Sequence, residues 1–180
     1  MIHKAAFLDL NGTLALPVTP ERLSDLQPIP GAFDAVARLT RAGFVCPVVT
    51  VQSRIAKGLY SLSDFVAWFE RFAADAARQG AALSGPYVCP HRYAAPCPCK
   101  KPQRLLYDQA TIDLRLTLSE SVVIGDSPED MQAAAALGAL GCLVQTGWAA
   151  DRLLPSGAST GTAFVGPSIV EVVEWILSRS

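Results

Sequence analysis

Three short apolar runs in this chain each deliver a polar residue that a buried strand has no use for. Residues 5–10 carry Asp9, residues 44–51 carry Thr50, and residues 122–125 stop immediately before Asp126. Apolar runs of this length, bounded by turn residues, read as strands buried on both faces. The stretches between them keep helical spacing. In 31–42 the positions Phe33, Val36, Ala37 and Leu39 share one face, and Gly43 is placed to stop the helix. Ser61 or Ser63 is placed to cap a second helix, whose Phe65, Val66, Trp68, Phe69 and Phe72 form a core stripe. Helices over 101–116, 128–137 and 169–177, with strands at 142–145 and 163–165, extend the alternation. Pro17, Pro20, Pro28 and Pro30 exclude a long helix after the first strand and predict a loop or small flap. Strands alternating with helices imply right-handed crossovers and a mostly parallel sheet covered on both faces, a three-layer α/β fold. Ligands of such sheets bind at the carboxyl ends of the strands, where Asp9, Thr50 and Asp126 fall.

The chain has 180 residues, the size of one domain, and the whole of 1–180 is expected to fold as one. Apolar types make up 51% and charged types 17%, below the usual ~25% charged, which excludes a disordered tail or a coiled coil. A net charge of −1 offers no broad basic field to nucleic acid or an anionic membrane, so the expected partner is a small molecule. The longest apolar run, 133–144, is shorter than the ~18 residues of a membrane span. The first residues read as a strand and not a secretory signal, which predicts a cytoplasmic location. Nothing in the sequence specifies an oligomeric state.

Two carboxylates at neighbouring strand ends, with Thr50 and Lys101 nearby, suit a hard divalent cation and a phosphoryl group. Mg2+ takes oxygen ligands and keeps several waters, so Asp9 and Asp126 suffice as side-chain ligands. Asp9 also suits attack on phosphorus, giving an aspartyl-phosphate whose charge a metal and a lysine offset. Either Asp alone is as well explained by a turn or a helix cap, and it is the combination that carries the reading. Gly12 and Thr13 predict a tight turn with backbone N–H groups open to phosphate. The segment 89–101 holds three of the five cysteines and one of the two histidines. Cys89, His91, Cys97 and Cys99 supply the donors of a closed tetrahedral Zn2+ site, a structural site that pins a loop ending at Lys100 and Lys101. Cys46 and Cys142 lie apart, in predicted strands.

The residues Phe7-Leu8-Asp9-Leu10-Asn11-Gly12-Thr13, Val49-Thr50-Val51-Gln52-Ser53, Lys101-Pro102 and Ile124-Gly125-Asp126-Ser127-Pro128-Glu129-Asp130 resemble, in order, the four motifs of the haloacid dehalogenase (HAD) superfamily. Cys89-Pro90-His91 followed by Cys97-Pro98-Cys99-Lys100-Lys101-Pro102 narrows the resemblance to its histidinol-phosphate and D-glycero-D-manno-heptose bisphosphate phosphatases. The resemblance implies a Rossmann-like HAD fold with a minimal cap and a zinc-binding loop. It implies Mg2+-dependent hydrolysis of a small phosphorylated metabolite, such as a heptose bisphosphate, with Asp9 as nucleophile. The Mg2+ ligands would be Asp9, the Asn11 carbonyl and Asp126, with Asp130 close by. Thr50 and Lys101 would hold the phosphoryl oxygens, and Gly12, Thr13, Ser53, Arg54 and Lys100 would lie toward the substrate.

The departures are specific. The family places a second Asp, the proton shuttle, where this chain has Asn11, and an amide cannot shuttle a proton. Val51 stands for the family's Asn, Arg54 for its Gly and Lys100 for its Arg. Two expectations follow besides an efficient phosphatase: a degenerate scaffold that binds a phosphorylated ligand or a protein with little turnover, and transfer to an acceptor other than water.

Overall fold

The computed structural model describes residues 3–149 and 161–179. The chain enters through β1 (His3–Leu8), whose side chains alternate between two cores as a two-residue period demands. Ala6 and Leu8 face one core, and Ala5 and Phe7 the other. A ribbon of β2 (Ala15–Leu16) and β3 (Gln27–Pro28) then forms the small flap that the prolines predicted. Next come α1 (Ala32–Arg41), β4 (Cys46–Val51) and α2 (Leu62–Arg78), the last capped by Ser61 accepting from the Asp64 N–H. After β5 (Leu83–Cys89) follow α3 (Leu105–Leu114), β6 (Leu116–Gly125), α4 (Pro128–Leu137), β7 (Leu140–Val144), β8 (Thr162–Gly166) and α5 (Ile169–Leu177).

The main sheet runs β5-β4-β1-β6-β7-β8, and every neighbouring pair is parallel. Helices α1, α2 and α5 cover one face, and α3 and α4 the other. The connections run outward from β1 through β4 to β5, then cross to β6 and run outward again. That reversal opens a crevice at the carboxyl ends of β4, β1 and β6, where such folds bind ligands. Leu8 lies opposite Ile124, and the Asp9 N–H donates to the Ile124 carbonyl at 2.9 Å, so Asp9 and Asp126 leave the sheet side by side.

Two expectations need correction, and one strand has no counterpart among them. The helix predicted over 101–116 begins only at Leu105, because Pro102 bars the preceding Lys101 from helical backbone and frees its side chain for the crevice. The strand predicted at 122–125 starts at Leu116; its first half is half-exposed and polar, so it lacks the apolar run that marks a buried strand. Where the β1–β6 register slips, the buried Ser121 hydroxyl accepts the Ala5 N–H at 2.8 Å. Finally, β5 was not foreseen, since Gly85 and Pro86 interrupt it. A proline is tolerated there because β5 is an edge strand.

Candidate active site

Lys101 is the cation around which the crevice is built. Its Nζ donates to Asp9 Oδ1 at 2.6 Å and to Asp130 Oδ1 at 2.7 Å, and all three side chains are buried or nearly so. The second Asp130 oxygen is consumed locally, accepting from the Ser127 hydroxyl at 2.6 Å and the Ser127 N–H at 3.2 Å in a capping box that starts α4. Asp126 Oδ2 accepts the Trp148 N–H at 2.5 Å. Candidate ligand oxygens of Asp9, Asp126 and Asp130 lie within 4.8 Å of one another. Three carboxylates facing one ammonium leave two negative charges unbalanced.

The titration behaviour follows from that imbalance. Burial pushes the Asp9 carboxyl well above its ordinary range; Lys101 opposes the shift, and Asp130 and Asp126 add to it. Burial likewise pushes Asp126 up to about 6. Burial alone would weaken the Lys101 ammonium, yet the Asp130 and Asp9 carboxylates outweigh it and hold Lys101 charged. Burial is the larger cause of the weakened carboxyls, and the neighbouring acids, which one ammonium does not offset, add to it. An oxygen-only donor set short of two positive charges fits a hard divalent ion. Asp9 and Asp126 are the pair that would hold it, since Asp130 has both oxygens engaged.

These groups line a cleft of about 320 Å³, together with Asn11, Val18, Thr19, Val51, Ser53, Tyr93, Lys100, Ser127, Glu129 and Trp148. Asn11, Ser53 and Lys100 are thus brought to the same cleft as the acids. Lys100 is tied down, however: its Nζ donates to the carbonyls of Tyr93 and Ala95, so it braces the loop as well as facing the cleft. Arg54 lies in a smaller adjoining recess and donates through Nε to the Pro20 carbonyl at 3.2 Å. Thr50 is buried, and its Oγ1 accepts from Gln52 Nε2 at 2.9 Å.

Gly12 and Thr13 do not offer the open N–H groups predicted for them. The Gly12 N–H donates to the Ala15 carbonyl at 2.8 Å and the Thr13 N–H to the Leu10 carbonyl at 3.3 Å, closing the turn on itself. Gly12 instead has a φ of +93°, and a methyl group on it would run into the Asp126 carboxylate. Its contribution is space for Asp126. Sequence reasoning also passed over Gln52, Tyr60 and Trp148. Gln52 stands inside a quoted motif, but nothing local marks a buried glutamine, and Trp148 arrives from beyond the last motif.

The sequence-predicted ligands Cys89, His91, Cys97 and Cys99 do come together. Cys89 Sγ lies 3.6 Å from Cys97 Sγ and 3.7 Å from His91 Nδ1; Cys99 Sγ lies 3.2 Å from His91 Nδ1 and 3.8 Å from Cys97 Sγ. A tetrahedron with metal–sulfur arms of ~2.3 Å has edges of ~3.8 Å, close to these separations, whereas a disulfide needs ~2 Å. Burial raises the Cys89 thiol to about 12, whereas at Cys97 burial is outweighed by hydrogen bonds from Cys89 and from the Lys100 and Cys99 backbone, which hold that thiol below its ordinary value, and the four donors are placed where they could share a metal ion.

A HAD-hydrolase-like family profile matches residues 98–172. The D-glycero-D-manno-heptose-1,7-bisphosphate 7-phosphatase of Thermosynechococcus vestitus is 35% identical over 193 residues, covering 99% of this chain and 98% of its own. The chain belongs to this family of HAD-like phosphatases. A heptose-1,7-bisphosphate phosphatase of Haemophilus ducreyi, 35% identical, matches 98% of this chain and all of its own. The solved D,D-heptose 1,7-bisphosphate phosphatase of B. bronchiseptica superposes with a TM-score of 0.85 at 29% identity, covering 98% of this chain and 99% of its own, and was crystallised with magnesium and phosphate. Membership in this family accounts for the parallel six-stranded fold. Among the described residues, no helix is long and apolar enough to cross a membrane.

Proposed function

We propose that the chain, acting as one domain over 1–180, hydrolyses a phosphomonoester of a sugar or similar small metabolite through an aspartyl-phosphate on Asp9. The observation that carries this reading is the cluster of Asp9, Asp126 and Asp130 around Lys101, short of two positive charges and open to a cleft. Lys101 holds Asp9 by Oδ1, which leaves Oδ2 to attack phosphorus. The new bond forms between Asp9 oxygen and phosphorus as the bond to the leaving oxygen breaks, and the electron pair departs with that oxygen. Water then attacks phosphorus as the Asp9–phosphorus bond breaks to regenerate the carboxylate, and the proton that the water sheds neutralises the departed alkoxide through solvent. Lys101 and the Thr50 hydroxyl stabilise the equatorial oxygens in both steps. Mg2+ held by Asp9, Asp126 and the Asn11 carbonyl would supply the missing positive charge to the phosphoryl group.

We assign Zn2+ to Cys89, His91, Cys97 and Cys99, where all four protein ligands close the site and leave no position for chemistry. Its part is to fix loop 89–101, and with it Lys101, two residues beyond Cys99. The decisive experiment is phosphate release from p-nitrophenyl phosphate and from phosphorylated sugars, with and without Mg2+. Release should require Mg2+ and should vanish in Asp9→Asn and in Asp126→Asn. Turnover surviving in Asp9→Asn excludes the covalent route.

A further inference from the structure

Gln52 is a fully buried amide that immediately follows the β4 strand, and its hydrogen bonds lead into the cleft. Its Nε2 donates to Asn11 Oδ1 at 2.7 Å and to Thr50 Oγ1 at 2.9 Å, and its Oε1 accepts the Tyr60 hydroxyl at 2.9 Å. Tyr60 is itself buried, immediately before the Ser61 cap of α2. Every polar atom of the Gln52 side chain is thus used, and it spans the element that carries Thr50 and the turn that carries Asn11.

The direction of this chain is set at its far end. Asn11 Nδ2 points to the Pro17 carbonyl at 3.5 Å, and a carbonyl can only accept. Turning the Asn11 amide over would bring two acceptors face to face there. Its oxygen therefore faces Gln52, Gln52 must present Nε2, and Oε1 is left to receive a proton from Tyr60. Burial pushes the Tyr60 hydroxyl up to about 12, so it keeps that proton across the neutral range. Nδ2 carries two hydrogens and the long contact to Pro17 uses one. Asn11 lines the cleft, so the other is the only hydrogen its side chain can offer there.

We propose that Tyr60 and Gln52 are positioning residues, which lock the Asn11 carboxamide so that its N–H donates to the bridging oxygen of the departing group. Asn11 then stabilises developing negative charge without transferring a proton. This rests on the phosphatase reading above and adds what the family's Asp-based pattern does not contain, an acid position converted to an oriented neutral donor. An amide donor matters most where the leaving oxygen gathers most charge. The chain from Tyr60 to Asn11 should therefore count for alkyl esters and hardly at all for aryl esters.

Tyr60→Phe is nearly isosteric and removes only the terminal hydroxyl. It should lower kcat/KM for β-glycerophosphate about 3- to 5-fold and that for p-nitrophenyl phosphate less than about 2-fold, no more than the loss of one neutral hydrogen bond. In an Asn11→Ala background, the same Tyr60→Phe change should cost nothing further on either ester. Equal losses on both esters, or a loss that persists without the Asn11 amide, overturns the proposal, because a merely structural role lowers both alike. A measurement without turnover separates this from the phosphatase reading: in 15N-labelled protein, Tyr60→Phe should shift the side-chain amide resonances of both Gln52 and Asn11. Unmoved resonances overturn the orienting chain even if the enzyme is active. Shifted resonances in a protein that releases phosphate from neither ester nor any phosphorylated sugar keep the chain and refute the phosphatase reading, together with the donor role that rests on it.

Discussion

Converting Asn11 to Asp introduces a proton donor at the position where the resemblance to the HAD motifs implies one, and its effect should depend on the leaving group. The structure suggests that an Asp at position 11 would be a usable acid. Its inner oxygen would receive the Gln52 Nε2 hydrogen bond, which favours the anion. Its outer oxygen would face the Pro17 carbonyl, an acceptor, which favours the protonated form. A positioned general acid contributes ~100- to 10,000-fold, and a neutral amide hydrogen bond is worth ~1 kcal/mol, about 5-fold. The difference is roughly 20- to 2,000-fold in favour of Asn11→Asp for an alkoxide leaving group. For p-nitrophenolate, which departs as a stable anion, the gain should be about 3-fold or less. The quantity to compare is kcat/KM. It reports steps only as far as departure of the leaving group, so faster hydrolysis of the aspartyl-phosphate cannot masquerade as leaving-group protonation. Assays with β-glycerophosphate and p-nitrophenyl phosphate at equal Mg2+ give the ratio directly. A parallel gain on both esters refutes the leaving-group argument, and no gain on either means that another group already protonates the departing oxygen.

Protein purified without added metal should carry about one zinc per chain by elemental analysis, and Cys97→Ser should lose it together with most Mg2+-dependent turnover, through Lys101; full activity in zinc-free protein would falsify the link. Added Mg2+ should raise the melting temperature more near pH 8 than near pH 5. Asp9 and Asp126 have folded-state pKa values raised by burial, so their contribution to stability is present below the ordinary carboxylate pKa and is lost as pH rises through the raised values, about 6 for Asp126. Mg2+ relieves that loss, by roughly 5 to 10 °C at a hundredfold excess over Kd, and an equal or larger shift near pH 5 contradicts the assignment. Gly147→Ala should abolish the Mg2+-induced shift, since a methyl there runs into the Asp126 carboxylate and Gly12; an unchanged shift means that Asp126 is not the ligand.

The parts of the fold that the sequence disclosed are those where one physical signal dominates. The inner part of β1, β4 apart from Thr50 and the second half of β6 are apolar because they are buried on both faces, and α1 and α2 carry a single apolar stripe against one core. Where two demands compete, the pattern blurs. β5 combines an edge position with a Gly-Pro pair, and the first half of β6 keeps only one side partly covered. The start of α3 was misplaced for a functional reason, because Lys101 must leave the helix to reach Asp9 and Asp130.

The site divides in the same way, between groups that react and groups that hold them. Asp9, Asp126, Lys101 and the Cys/His set were legible because their chemistry is unusual for their positions: acids at the ends of apolar strands, and thiols crowded beside a histidine. Gln52 and Tyr60 carry no such mark, since a glutamine after a strand and a tyrosine before a helix cap are ordinary, and only the fold shows that they meet. The same holds for Gly12, whose N–H is spent inside its own turn and whose missing side chain admits Asp126. The acid cluster explains why such holding groups are needed. Three acids gathered around one ammonium carry, when ionised, more negative charge than Lys101 offsets, and Asp126 is kept in place by the Trp148 N–H and Asp130 by Ser127. The Trp148 bond favours the Asp126 anion, and together with the Ser127 bonds it keeps the carboxylates from moving apart, so their oxygens stay within the 4.8 Å of one another that a shared cation would need.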